Sequence, residues 1–155
     1  MTTAQEIMHT GVACIDEHET LATAAQRMRA LDVGALPVCG DDERLHGIIT
    51  DRDIVVKCVA EGHDPATVTA GDLAQDSVHS VDAAANIADM LTLMETHQVR
   101  RLPVVDGHRL VGIVSEADIA RHLPEHAIAD FVKAICAPAA SSSHPSLTSN
   151  ADVGA

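Results

Sequence analysis

The chain is 155 residues long and carries 10 Lys and Arg against 23 Asp and Glu, a formal net charge of -13, so a phosphate backbone would meet net repulsion and nucleic acid is not an expected partner. No run approaches the ~18 apolar residues of a membrane-spanning helix, and Met1-Thr2-Thr3-Ala4-Gln5-Glu6 lacks the basic and apolar regions of a cleaved signal. A cytoplasmic protein is therefore the default, and secretion by a route that leaves no signal peptide stays open.

The length suits one domain, or two small halves that share a core. With no Trp or Tyr and a single Phe at Phe131, core and pocket walls must be aliphatic. Residues 5–9 are a short lead-in, and the apolar stretch 12–15 predicts a brief strand. From Thr20 the period changes: Leu21, Ala24, Ala25, Met28 and Leu31 share one face of a helix that stops near Gly34. Ala35–Cys39 reads as a strand, 40–44 as a turn and Leu45–Thr50 as the paired strand. A helix then runs from Asp51 to about Ala60 with Ile54, Val55 and Cys58 as its apolar stripe, and Gly62 and Pro65 close the segment.

The plan then repeats. Val12 matches Val78, Leu21 matches Ile87, Met28 matches Met94 and Leu36-Pro37-Val38 matches Leu102-Pro103-Val104, an offset of 66. After a one-residue slip in the hairpin turn, Gly47-Ile48-Ile49-Thr50-Asp51-Arg52-Asp53 returns as Gly112-Ile113-Val114-Ser115-Glu116-Ala117-Asp118. In each copy a buried strand ends in a hydroxyl residue that caps a helix, whose free N–H groups favour an anion while the final Asp reaches the same crevice. The same hydroxyl-x-x-carboxylate spacing is a helix capping box, so both copies also carry a purely structural reading. Beyond Leu123, Pro124 starts a separate helix with Ile128, Phe131, Val132 and Ile135 on one face, positioned to cover apolar surface of the pair or of a second chain. The segments expected are repeats at 4–62 and 69–123, a C-terminal helix at 124–138 and a disordered tail at 139–155.

The order strand, helix, strand, strand, helix, with G-h-h-[ST]-x-x-D at the second helix, resembles the CBS domain over residues 4 to 123, and the tandem resembles a Bateman module. The resemblance implies an α/β fold of two repeats about a pseudo-twofold axis, working as a homodimer. It implies that Asp53 and Asp118 hold the ribose hydroxyls of an adenine nucleotide while Thr50 and Ser115 approach its phosphate. Arg52 in the first copy stands where the second has Ala117, so the two sites should be unequal.

Further stretches resemble a stand-alone member of that family, of the hypoxia or dormancy response type, with no attached catalytic domain. They are a Cys in the first strand, a Cys after Leu-Pro-Val, His97-Gln98-Val99-Arg100-Arg101, and the run from Ala120 to Ile128. That resemblance implies zinc at His97 and His122, completed by a neighbouring chain or water, and a disulfide between Cys14 and Cys39. An oxidised pair would favour an exported protein, whereas in a reducing cytoplasm both would be buried thiols. Cys58 reads as core packing. His9, His18, His46, His63, His79, His108 and His144 read as solvated side chains, and Pro124 separates His122 from His126. No H-E-x-x-H, G-x-x-x-x-G-K-[ST] or G-x-S-x-G occurs, so an enzyme is not expected. The expected function is a non-catalytic ligand-sensing or stress-response regulator. The alternative is a zinc-stabilised exported protein that acts on a protein partner and takes no nucleotide.

Overall fold

A computed structural model describes residues 1–74 and 78–137, so the segment expected as a tail lies outside the described residues. The elements are α1 (Ala4–Ile7), β1 (Ile15–Asp16), α2 (Leu21–Leu31), β2 (Ala35–Cys39), β3 (Leu45–Thr50) and α3 (Asp51–Asp53), which runs into a π-helical segment, Ile54–Val59. They continue with α4 (Ala70–Leu73), β4 (Val81–Asp82), α5 (Ile87–His97), β5 (Arg101–Asp106), β6 (Arg109–Ser115), α6 (Glu116–Ala120) and α7 (Glu125–Cys136). Each repeat forms one three-stranded sheet, β1-β2-β3 and β4-β5-β6, with the first strand parallel to the second and the third antiparallel.

The duplication is visible bond by bond. Thr20 caps α2 and Asn86 caps α5, each accepting from the N–H three residues on, and both helices end on a left-handed residue, Asp32 at φ 53° and Gln98 at φ 54°. Thr3 bridges Asn86 while Thr20 bridges Thr69, a pair related by the same offset as the repeat. Arg44 bridges Arg109, its own counterpart, which places that contact on the pseudo-twofold axis.

The expected single shared core is two cores among the described residues, and they exchange their lids. Ala4 and Ile7 of α1 are buried with Met90, Met94, Leu102 and Ile119 of the second repeat. Ala70 and Ala74 are buried with Leu21, Met28, Leu36 and Ile49 of the first. Backbone bonds lock the exchange: the Ala4 N–H donates to Ala85 O at 2.8 Å and the Ala70 N–H donates to Glu19 O at 2.8 Å. Each sheet has one face that its own helices leave bare, and the lead-in of the other repeat covers it. Of these buried lid side chains only Ile7 is large, worth about 1.5 to 3 kcal/mol when buried, and the alanines contribute about 0.8 kcal/mol each, so the lids act chiefly by covering the side chains beneath them.

Three apolar stripes are narrower than the sequence predicts. Leu31 is 51% exposed, Val55 58% and Val132 47%, and Ala25 also faces solvent. In the segment after Asp53 the reason is local. The Ala60 N–H bonds Val55 O and the His63 N–H bonds Cys58 O, five residues back in each case, so the wider winding turns Val55, Val56 and Val59 outward. The strand expected at 12–15 is confined to Ile15–Asp16.

Candidate functional site

Both copies of the motif form the capping box. The Thr50 hydroxyl accepts from the Asp53 N–H at 3.0 Å and Asp53 Oδ2 accepts from the Thr50 N–H at 3.1 Å. In the second copy Ser115 Oγ accepts from the Asp118 N–H at 3.3 Å, and Asp118 Oδ2 accepts from the Ser115 N–H at 2.9 Å and its hydroxyl at 2.7 Å. The helix opened by Ser115 is only five residues long, so the anion-favouring dipole expected there is weak, whereas the helix opened by Thr50 continues into the π-helical segment to Val59.

The two aspartates differ in surroundings. The Asp53 side chain is 28% exposed, and Lys57 Nζ lies 3.4 Å from Oδ1. Asp118 is the one buried charged residue among those described. Its Oδ1 meets His9 Nε2 at 3.0 Å and the Arg121 guanidinium at 2.8 Å. Burial opposes ionisation of Asp118, but the Ser115 hydroxyl and N–H and the His9 ring outweigh it and hold the carboxyl below its usual range.

A cavity adjoins each motif, and the pair is related by the repeat. The first, 120 Å³, is lined by Ile48, Asp53, Lys57, Leu73, Ala74, Val78, His79, Val99 and Arg101. The second, 450 Å³, is lined by His9, Gly11, Val12, Ala13, Leu31 to Leu36, Arg101, Ile113 and Ser115. Position for position, Val12 answers Val78, Val33 answers Val99 and Ile113 answers Ile48. His79 and Arg101 stand in the first cleft where the second has Ala13 and Ala35. His79 and Arg101 thus crowd the first cleft, and two alanines leave the second open with mostly aliphatic walls, although Arg101 lines it too. Asp118 lies behind Ser115 and is not among the residues lining the second cleft.

The histidines expected to bind metal are at the surface. His122 Nδ1 is tied to Asp118 O at 2.8 Å, an arrangement that fixes the ring and leaves Nε2 for a metal. His97 stacks face to face on His79, with ring centroids 3.5 Å apart and planes at 13°. His79 and His9 were expected to be merely solvated; one lines the first cleft and the other holds Asp118. Comparing the two repeats at Ala13 and His79 is the sequence signal that marks the first. Nothing local marks His9, whose partner is 109 positions away. Among the described residues only Asp16, His18 and Asp41 bring three ligand atoms within 4.8 Å of one another, so a zinc ion at His97 and His122 needs ligands from elsewhere.

Cys14 and Cys39 form a disulfide across the β1/β2 end of the first repeat. Cys58 is a buried free thiol and Cys136 an exposed one. Among the described residues no helix is long and apolar enough to cross a membrane.

Two repeats of this topology, each closed by G-h-h-[ST]-x-x-D and each opening a cleft beside it, define a class. Residues 4–59 and 70–125 each match the CBS domain, and the chain belongs to that family. Hypoxic response protein 1 of Mycobacterium tuberculosis is 68% identical over 140 residues, covering 90% of this chain and 98% of that protein. A crystal structure of Hypoxic Response Protein I with two coordinated zinc ions superposes with a TM-score of 0.75 at 67% identity, covering 79% of this chain and 100% of that one. The fold is shared more distantly with CBSX2, solved in complex with AMP, at a TM-score of 0.68 and 24% identity, covering 79% of this chain and 96% of that one.

Proposed function

We propose that the chain is a non-catalytic regulator that takes one small ligand, an adenine nucleotide, in its second cleft. The supporting observation is the difference in room: 450 Å³ beside Ser115 against 120 Å³ beside Asp53. The aliphatic wall of Val12, Val33, Leu36 and Ile113 suits a base, and Arg101 and Ser115 supply polar groups for a phosphate and sugar. Val55, Val56 and Val59 are exposed and give a homodimer its apolar contact.

The test is a thermal-shift titration of metal-loaded protein with AMP, ADP, ATP, NAD and S-adenosylmethionine. A ligand at 100 times its Kd stabilises the native state by about 2.7 kcal/mol. A saturable rise with one ligand, lost in Ser115→Ala and kept in Asp53→Ala, is the expected result. No shift with any ligand refutes the reading.

A second reading is a zinc-held protein of the stress response that acts through its surface on a protein partner. It is favoured by His122, whose ring is already oriented by Asp118 O. Zinc would be held by His97 and His122 and would supply a structural link between the end of α5 and the end of α6. The Cys14–Cys39 bridge supports a site of action where thiols are oxidised. A chelator that lowers the melting temperature of the wild type but not of His97→Ala/His122→Ala is the result this reading expects.

A further inference from the structure

The acceptor capacity of Asp118 is used up. Oδ2 serves Ser115 twice, and Oδ1 serves His9 at 3.0 Å and Arg121 at 2.8 Å. A carboxylate oxygen has two lone-pair directions, so neither oxygen has one left for a ribose diol. The aspartate that the motif would offer to a sugar is withdrawn by two side chains of the same molecule.

His9 reaches Asp118 because the backbone delivers it. The His9 N–H donates to Ile113 O at 2.9 Å, and His9 O accepts from the Ile113 N–H at 3.1 Å. Gly112 makes the approach possible, because a Cβ there would meet Met8 Sδ at 2.5 Å and His9 O at 2.8 Å. The lead-in is thereby paired to β6 at Ile113, the second residue of the motif, with His9 also on the wall of the second cleft. Asp53 differs, since its second oxygen meets only Lys57 of its own helical segment among the contacts described.

We propose that the His9 segment is an internal competitor for the second cleft. With His9 on Asp118 the carboxylate is closed to a diol-bearing ligand. Such a ligand gains it by displacing His9, which frees residues 8–11 from β6. The proposal rests on the reading of the second cleft as a ligand site and adds that occupancy is reported at the N-terminus. At Oδ1 the exchange replaces one charge-assisted hydrogen bond by another, and the ligand's remaining contacts in the cleft offset the two backbone bonds between His9 and Ile113 that are given up to water, so a ligand can shift the population between the two states.

The experiment is a calorimetric titration of the full-length chain with AMP as probe. It compares wild type, His9→Ala, His9→Gln and Asp118→Asn, with amide exchange followed at His9 and Ile113. His9→Ala is expected to bind about tenfold more tightly, because no internal hydrogen bond has to be broken first. His9→Gln, which retains an N–H donor, should fall between. In the wild type AMP should speed exchange at both amides. The His9 side chain is 66% exposed, so its removal leaves the core intact, and a thermal melt checks this. Binding by His9→Ala no tighter than wild type, with Asp118→Asn losing AMP, overturns the competitor and leaves the cleft reading standing. Tighter binding without faster exchange overturns the release of the segment. No binding by wild type or His9→Ala overturns cleft reading and competitor together.

Discussion

The two clefts stand on the same frame and differ in their lining, most plainly where Ala13 and Ala35 of the second answer His79 and Arg101 of the first. The second measures 450 Å³ and the first 120 Å³. The caps, sheet order and left-handed helix ends are common to both repeats, so none of these sets the difference. A duplicated fold can therefore keep its stability determinants in register while its two sites diverge through the side chains that line them.

The sharpest break between the repeats is covalent. Cys14→Ser with Cys39→Ser is expected to cost about 3 kcal/mol in the chain-entropy model, read by denaturant unfolding, with no further loss on adding reductant. The second repeat has no bridge among its described residues.

Next in size are the aspartates. Asp118→Asn should cost about 2 kcal/mol, because charged hydrogen bonds at a buried site are lost, and Asp53→Asn under about 1 kcal/mol. Equal losses would show that burial does not separate the two copies. The same variant carries a pH signature. The Asp118 carboxyl is held below its ordinary range in the folded chain, so its contribution is fully present above the unfolded value and is lost as pH falls through the folded one. The acid limb of the stability curve, below about pH 4, should be shallower in Asp118→Asn than in wild type.

Smaller again are the caps: Thr50→Ala and Ser115→Ala should each cost about 1 kcal/mol, measured by thermal unfolding. Ser115 should cost the more, because its hydroxyl also donates to Asp118. Smallest for stability, within about 0.5 kcal/mol, is His79→Ala. That substitution should nevertheless widen the first cleft while leaving Arg101 in place on the second, and raise AMP stoichiometry from one to two per chain. An unchanged stoichiometry would mean that volume does not decide which cleft is used.

The repeat, the capping box and the helix ends were legible in the sequence because each is local: an offset, a spacing of three, a change of period. Comparing copies also exposes the cleft difference, but only at Ala13 against His79 and Ala35 against Arg101, positions outside the motif. Three features were not legible. His9 on Asp118 depends on a contact across 109 positions. The exchange of α1 and α4 depends on which sheet face is left bare. The π-helical winding after Asp53 comes from carbonyls five residues back, and a 3.6-residue period misplaces Val55 and gives no warning of it.

The exchanged lids also set an order of events during synthesis. Residues 3–9 leave the ribosome well before their partners Ala83, Ala85 and Ile113. At about 5 to 20 residues per second, translation needs roughly 5 to 20 s to bring Ile113 out after Ala4. Through that interval Ala4 and Ile7 have no core to enter, whereas α4 finds its sheet already made. The first repeat can therefore close while the chain is still growing, and the second must wait for a segment made about a hundred residues earlier to return to it.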